Sequence, residues 1–404
     1  MDKIPFIDIK EYDYDLPEER IAQFPVKERD GSQLLVFKRG ALKKDIFRNI
    51  AEYLPEGSLL VFNNARVIRA RLHFQKESGA AIEILCLEPL IPRDYESCFS
   101  SNGPAEWKCL IGNLKKWKKD SLVKNFNHTG KNYRLMAEKL GAEGDAWNIR
   151  FSWDPSDLTM GEVLESAGHL PLPPYVKRED TRDDYIRYQT IYSKIYGSVA
   201  APTAGLHFTQ DVLENIRGKN IGSAELTLHV GAGTFKPVKE RDISRHEMHR
   251  ERFHVTKENL ESVYRSIDRL LAAGTTSVRA LESLYWLGCK AMADPKVIDN
   301  EPYISQWEWA SQKRDISAAE SIGTILQIMD KQKLSVLTAS TGIMIIPGYR
   351  FRIIKGMITN FHQPRSTLLM LVSAWVGDDW KRIYEYALEN RFRFLSYGDA
   401  SLLL

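Results

Sequence analysis

Val199-Ala200-Ala201-Pro202-Thr203-Ala204-Gly205-Leu206-His207-Phe208-Thr209 joins an apolar, strand-like run to an amphipathic stretch, and its reading decides the fold class. Pro202 fixes the backbone and Gly205, three residues on, frees it, which is the chemistry of a shaped turn. Thr209 precedes Val212, Leu213 and Ile216, apolar positions on one helical face, so the spacing predicts an N-cap. His207 is thereby delivered to a helix N-terminus, where small anionic or polar ligands are held. A capped turn with a structural histidine is the plainer alternative, and these residues alone leave both open.

The same pattern recurs downstream. Ala224, Leu226, Leu228 and Val230 alternate with Glu225, Thr227 and His229, which gives a strand with one polar face, and Gly231-Ala232-Gly233-Thr234-Phe235 follows as a flexible turn. Leu270 to Ala273 leads through Gly274-Thr275-Thr276-Ser277 into a helix with Leu281, Leu284 and Tyr285 on one face and Gly288 as its expected stop. Met357 to Phe361 leads through His362-Gln363-Pro364-Arg365-Ser366 into the apolar helix Leu368 to Val376. Three polar turns at strand ends, where α/β sheets hold their ligands, predict one shared pocket.

Residues 72–151 read differently. Short apolar pieces alternate with glycine, asparagine and lysine, and helical periodicity shows only at Tyr133 to Leu140. The expected architecture is an α/β main domain, a mixed sheet with flanking helices over 1–71 and 152–404, with an inserted all-β barrel-like domain over 72–151. Leu34 to Phe37 and Leu59 to Phe62 are expected as buried strands of the main domain. Ser317-Ala318-Ala319-Glu320 has capping-box spacing before Ile322, Ile325, Leu326 and Met329, which predicts an amphipathic helix.

At 404 residues, 43% hydrophobic and 27% charged, the chain has the composition of an ordinary globular protein. Cys86, Cys98, Cys109 and Cys289 show no CxxC spacing and are too sparse for a disulfide scaffold, so a reducing cytoplasm is expected. The first residues lack the apolar run of a secretion signal, and the longest apolar run is too short to span a bilayer. A net charge of +3 does not mark a nucleic-acid binder, but Lys115, Lys116, Trp117, Lys118 and Lys119 set cations around an aromatic as RNA-contacting loops do. A solvated face is the plainer reading of that run.

His246-Glu247-Met248-His249 is one residue short of the helical zinc spacing, so no metal is expected there. His246, His249, Glu251 and His254 form instead a dense titratable run suited to general acid/base work, or an exposed polar strand. Leu228-His229-Val230-Gly231-Ala232-Gly233 imitates the glycine-rich turn of S-adenosylmethionine methyltransferases but lacks a third glycine and meets Pro237 where a helix would start. No P-loop and no GxSxG elbow occur.

Long ordered matches run nearly end to end: Tyr14-Asp15-Leu16-Pro17, Gly168-His169-Leu170-Pro171-Leu172-Pro173-Pro174-Tyr175, Arg187-Tyr188-Gln189-Thr190, the stretch to Thr209, His229 to Val238, His246 to His249, Gly274 to Arg279, Pro347-Gly348-Tyr349, Ile358 to Ser373 and Ser396-Tyr397-Gly398-Asp399-Ala400. On these the chain resembles the S-adenosylmethionine:tRNA ribosyltransferase-isomerase family of queuosine biosynthesis. The resemblance implies transfer of the ribosyl part of S-adenosylmethionine to a 7-aminomethyl-7-deazaguanine wobble base, with loss of adenine and methionine, forming epoxyqueuosine in tRNA. It implies no metal or other cofactor, S-adenosylmethionine being a co-substrate, and a cytoplasmic monomer or homodimer.

Two departures stand out. Asn63-Asn64-Ala65-Arg66-Val67-Ile68-Arg69-Ala70-Arg71-Leu72 carries an amide at Asn64 where the family usually has a carboxylate, and residues 289–341 form a longer link than usual. These departures keep a non-catalytic tRNA-binding relative in view, beside an S-adenosylmethionine methyltransferase.

The chemistry needs a base beside the sulfonium and acid help as adenine leaves. The candidates are His207 or His249 as base, Glu251 orienting an imidazole, and Asp399 or Glu251 offsetting the sulfonium charge. Thr203, Gly205, His229, Gly231, Gly233, Asn360 and His362 are expected to bind substrate, with the methionine carboxylate on Thr275, Thr276 and Ser277 near Arg279. Arg66, Arg69, Arg71, Lys115, Lys116, Lys118 and Lys119 are the candidate tRNA contacts.

Overall fold

The computed structural model describes residues 4, 6–118, 121–231, 238, 240–311 and 315–404. In chain order the strands are β1 (Gln33–Lys38), β2 (Ala41–Ile46), β3 (Leu59–Asn63), β4 (Ala65–Val67), β5 (Arg71–Gln75), β6 (Ala81–Ile91), β7 (Ala105–Gly112), β8 (Leu122–His128) and β9 (Lys131–Glu143). They continue with β10 (Ala146–Asp154), β11 (Ile195–Ser198), β12 (Gly222–Leu228), β13 (Glu251–Thr256), β14 (Leu270–Ala273), β15 (Tyr303–Ile304), β16 (Val336–Thr341), β17 (Ile354–Asn360) and β18 (Ala400–Leu403). The helices are α1 (Tyr95–Phe99), α2 (Met160–Ala167), α3 (Asp184–Arg187), α4 (Gln210–Gly218), α5 (Lys257–Arg265), α6 (Thr275–Ala293), α7 (Glu308–Ser311), α8 (Ala318–Gln332), α9 (Thr367–Val376) and α10 (Asp379–Glu389).

Among the described residues one mixed sheet runs β15-β16-β13-β12-β3-β14-β17-β18-β1-β2. Its central strands β12, β3, β14 and β17 are parallel neighbours, so their C-terminal ends share one edge. Strand alternation separates two cores. Leu59 and Val61 face a layer with α5, α6, α8, α9 and α10, whereas Leu60 and Phe62 face α4 through Phe208, Val212 and Ile216. Burial on both faces explains why β3 reads as an unbroken apolar run.

The second sheet, β5-β6-β7-β10-β9-β8, is antiparallel and curls into a nearly closed barrel around Leu72, Ile84, Trp107, Leu135 and Phe151. It is not purely β. Helix α1 lies within it, and Met160, Val163 and Leu164 of α2 cap its core. The helical periodicity at Tyr133 to Leu140 is overturned: this segment lies in β9, where Tyr133, Leu135 and Ala137 alternate inward. A run that satisfies both periods is settled by its ladders to β8 and β10.

Gly288 does not stop its helix. α6 continues to Ala293, and the glycine is needed for another reason: a Cβ at Gly288 would lie 2.0 Å from Ser321 Oγ and 2.3 Å from its carbonyl oxygen. That glycine is a crossing point for α6 and α8 rather than a terminus. The 289–341 stretch is built into the main core: Ile304, Ile322, Ile325, Met329 and Leu337 are buried there, and β15 and β16 extend the sheet. The caps at Thr209 and Ser317 form as expected, the latter as a full capping box. Among the described residues no helix is long and apolar enough to cross a membrane.

Candidate active site

The expected single pocket is two clefts, divided by the strand end at His229, Val230 and Gly231. The first lies at the C-terminal edge of the parallel strands, lined by Pro202, Thr203, Ala204, Val230, Gly274, Thr275, Thr276, Asn360, His362, Ser366 and Ser396. Helices α6 and α9 begin at its wall. Gly274 turns into α6 with φ +95°, a conformation other residues resist, and Ser366 caps α9 by accepting from Leu369 N–H at 3.2 Å. Two helix N-termini therefore give this cleft an anion-favouring end.

Two buried polar atoms here, Thr276 Oγ1 and Asn360 Oδ1, have no hydrogen-bond partner among the described residues. His207 explains the second. Its Nε2 accepts from Asn360 Nδ2 at 3.2 Å and its Nδ1 pairs with Ser32 Oγ at 2.8 Å. An amide nitrogen only donates, so the imidazole is neutral with its proton on Nδ1, and this leaves the Asn360 carbonyl free. Burial, reinforced by Arg393 and Arg29, lowers the His207 pKa to about 3. Burial lowers His362, hydrogen-bonded to Thr359 Oγ1 at 2.9 Å, to about 3 as well.

The second cleft opens between the barrel and the main sheet. Its empty space of about 1960 Å³, counted to the open mouth, exceeds the 710 Å³ of the first. Tyr95, Arg93 and Lys108 line it from the barrel; His229, Gly231, His246, His249, Arg250 and Arg252 line it from the other side. His249 Nε2 meets Glu251 Oε1 at 3.0 Å, and Glu251 Oε2 accepts from a guanidinium N–H of Arg279. Burial pushes the Glu251 pKa up, but Arg279 and His249 outweigh it and hold the carboxyl at about 2. Arg279 is itself buried and donates from Nε to the Ile343 carbonyl at 3.1 Å. The result is a chain from buried guanidinium through carboxylate to a partly exposed imidazole.

His229 stacks on Tyr95 with ring centres 4.3 Å apart, and burial lowers its pKa to about 3. Tyr95 was not among the sequence candidates. It lies on a one-turn helix inside the barrel, and no local pattern announces a partner 134 positions away in the chain.

Thr203, Thr275, Thr276, Asn360 and His362 line the first cleft; His229, Gly231 and His249 line the second. Gly233 and Lys119 lie outside the described residues. Six other candidates line neither cleft. His207 sits behind Asn360, and Glu251 and Arg279 stand behind His249. Gly205 is a contact point whose Cβ would strike Tyr192 Oη at 2.0 Å, and Ser277 Oγ donates back to Ala273 O at 2.8 Å. Asp399 is a clamp. It accepts from Gln33 N–H at 2.9 Å, Arg393 N–H at 2.7 Å and Gln33 Nε2 at 3.1 Å, and it lies 3.7 Å from the Arg393 guanidinium, so its charge is committed within the fold.

The basic candidates divide similarly. Arg66 and Arg69 line a third groove, whereas Arg71 donates to Leu172 O at 3.2 Å. Lys115, Lys116 and Lys118 are exposed on the β7–β8 connection, but Trp117 is buried in the barrel core and presents no ring to a base. His246 pairs with Glu240 at 3.3 Å and His249 with Glu251, so the two imidazoles answer to different carboxylates. Asn64, 8% exposed, accepts from Thr227 Oγ1 at 2.7 Å and donates to Glu225 Oε2 at 2.9 Å. An amide is what that position needs, because a carboxylate there would face Glu225.

The family model described as queuosine biosynthesis protein matches residues 9–403. The chain is 37% identical over 401 residues to the S-adenosylmethionine:tRNA ribosyltransferase-isomerase of Azoarcus sp. (strain BH72), covering 98% of this chain and 97% of that one. It is 39% identical over 405 residues to the enzyme of the same name from Caldanaerobacter subterraneus subsp. tengcongensis, covering 98% and 99%. A crystal structure of S-adenosylmethionine tRNA ribosyltransferase from Thermotoga maritima is 30% identical with a TM-score of 0.45, covering 98% of this chain and 100% of that one. With the family model spanning residues 9–403 and these relatives aligned over 98% of it, the chain belongs to the queuosine biosynthesis protein family.

Proposed function

We propose that this protein transfers and isomerises the ribosyl part of S-adenosylmethionine onto 7-aminomethyl-7-deazaguanine at the tRNA wobble position, releasing adenine and methionine and leaving epoxyqueuosine. The observation that carries the reading is the shared wall at 229–231. It sets a cleft with two helix N-termini against a cleft holding a carboxylate-backed imidazole.

In this reading the first cleft takes S-adenosylmethionine. The methionine carboxylate rests on the N-terminal amides of α6, beside Thr275 and Thr276, and the free Asn360 carbonyl accepts from the nucleoside. The second cleft admits the wobble base. The ribose reaches past Gly231, beside which the His249 ring stands; His249 takes the proton from the ribose carbon next to the sulfonium and returns a proton as adenine departs, Glu251 orients its ring, and Arg279 keeps Glu251 ionised. His207 is a positioning residue that aims Asn360. The protein acts as a single α/β main domain carrying a barrel-like insertion over 72–151, in the cytoplasm, without metal, as a monomer or homodimer.

Incubation with S-adenosylmethionine and tRNA bearing the deazaguanine precursor, followed by nucleoside mass analysis, tests the assignment. Epoxyqueuosine with stoichiometric adenine is expected. S-adenosylhomocysteine without adenine would make it a methyltransferase, and tRNA binding without any product a non-catalytic relative.

A further inference from the structure

The third groove has a chemistry of its own. The Arg66 guanidinium lies over the Tyr196 ring, 4.8 Å from its centre, and the Arg69 guanidinium over the Tyr185 ring at 4.0 Å. Neither arginine makes an ion pair with a described residue. Tyr196 is 48% exposed, and Gln189 fixes the strand behind it by bonding both the N–H and the carbonyl of Val67 at 3.0 and 2.9 Å. The acids nearby oppose a phosphate: the Glu162 carboxylate is spent on the cap of α2, and Glu165, whose carbonyl accepts from Arg69, leaves its own carboxylate exposed. Flat cations on half-open rings, with negative charge at the rim, suit a planar neutral ring better than a sugar-phosphate chain.

Strand β11 ties this groove to the active site. Tyr196 opens onto the groove, while the next residue, Gly197, backs onto the second cleft so closely that a Cβ would lie 2.6 Å from Tyr95 and 2.8 Å from His229. One strand's thickness separates the two. We propose that this groove receives the nucleobase adjacent to the wobble position, splayed across β11 and stacked against the Arg66–Tyr196 pair, with Arg69 contacting its edge. RNA loops are recognised by such unstacked bases on aromatic and guanidinium planes. The inference rests on tRNA being the substrate.

The test uses an anticodon stem-loop carrying the deazaguanine, and the same RNA with an abasic site at either neighbouring position. Y196L should weaken binding of the intact RNA roughly 5- to 150-fold, the range that one base stack carries. Y196F should restore it, the salt slope should match wild type because no phosphate contact is lost, and the KM for S-adenosylmethionine should not move. One abasic RNA should bind wild type as weakly as intact RNA binds Y196L, and Y196L should weaken that RNA no further. Additive losses, a salt slope shallower by about one, or unchanged binding in Y196L would overturn the proposal. Wild-type protein that binds the RNA but releases no adenine would remove the proposed reaction and leave the groove standing; protein that does not bind the RNA would remove both.

Discussion

Of the two clefts on either side of 229–231, only the second holds, beside the buried His229, a histidine of another kind. The histidines around the first, His207 and His362, are buried, bonded to neutral partners and held near pKa 3 by lost hydration. His249 in the second is a third exposed and rests on a carboxylate that Arg279 keeps charged. A histidine that refuses a proton across the physiological range is a rigid hydrogen-bonding spacer; one with a carboxylate behind it and solvent before it can exchange protons. Position in a polar turn therefore says little about which imidazole does chemistry. The partner on the far nitrogen decides.

The sharpest way to break this comparison is H249A. Loss of the proposed acid/base should lower kcat for adenine release by about 100- to 10,000-fold while S-adenosylmethionine still binds in a calorimetric titration. Next in size is R279M. It strands the Glu251 carboxylate in the interior, so urea unfolding should show a loss of about 3–5 kcal/mol, rather than the raised co-substrate KM that a carboxylate-binding arginine would give. R279K should fall between, because a point cation cannot hold both the Ile343 carbonyl and Glu251 as the fork does.

A smaller effect is expected at His207. H207A leaves the Asn360 amide only its weaker bond to the Asp399 carbonyl at 3.4 Å, at a cost of about 1–3 kcal/mol for the unpaired N–H, and should appear mainly as a higher KM for S-adenosylmethionine. The smallest at neutral pH is a pH signature, which develops only in acid. His207, His229 and His362 each take up a proton on unfolding below 6.5 that the fold refuses until about 3. Their stability is complete above 6.5 and drains as pH falls toward 3, and Glu251 adds a loss between 4.5 and about 2. H207Q should flatten the acid limb from 6.5 to 3 in a stability–pH series, and E251Q the limb below 4.5.

Much of the main domain was legible because its signals are local. Apolar runs at Leu34 and Leu59, the Thr209 and Ser317 caps and the glycine turn at Gly274 each state their own conformation. The misreadings arose where a distant contact decides. Gly288 looks like a stop until Ser321 lies against it, and the 133–140 run looks helical until β8 and β10 pair with it. The site followed the same rule. Spacing put His207 and His249 in equally polar surroundings, but Ser32 and Asn360 on one and Glu251 with Arg279 on the other come from remote strands and helices. Asn64 reads as a lost acid in the chain and as a satisfied bridge between Thr227 and Glu225 in space.

Single-turnover adenine release, with H249A and H207Q run beside wild type at saturating S-adenosylmethionine and precursor tRNA, separates the proton-transferring histidine from the positioning one. H249A should fall at least 100-fold and H207Q stay within about tenfold of wild type. Near-normal release by H249A together with collapse in H207Q would contradict that assignment.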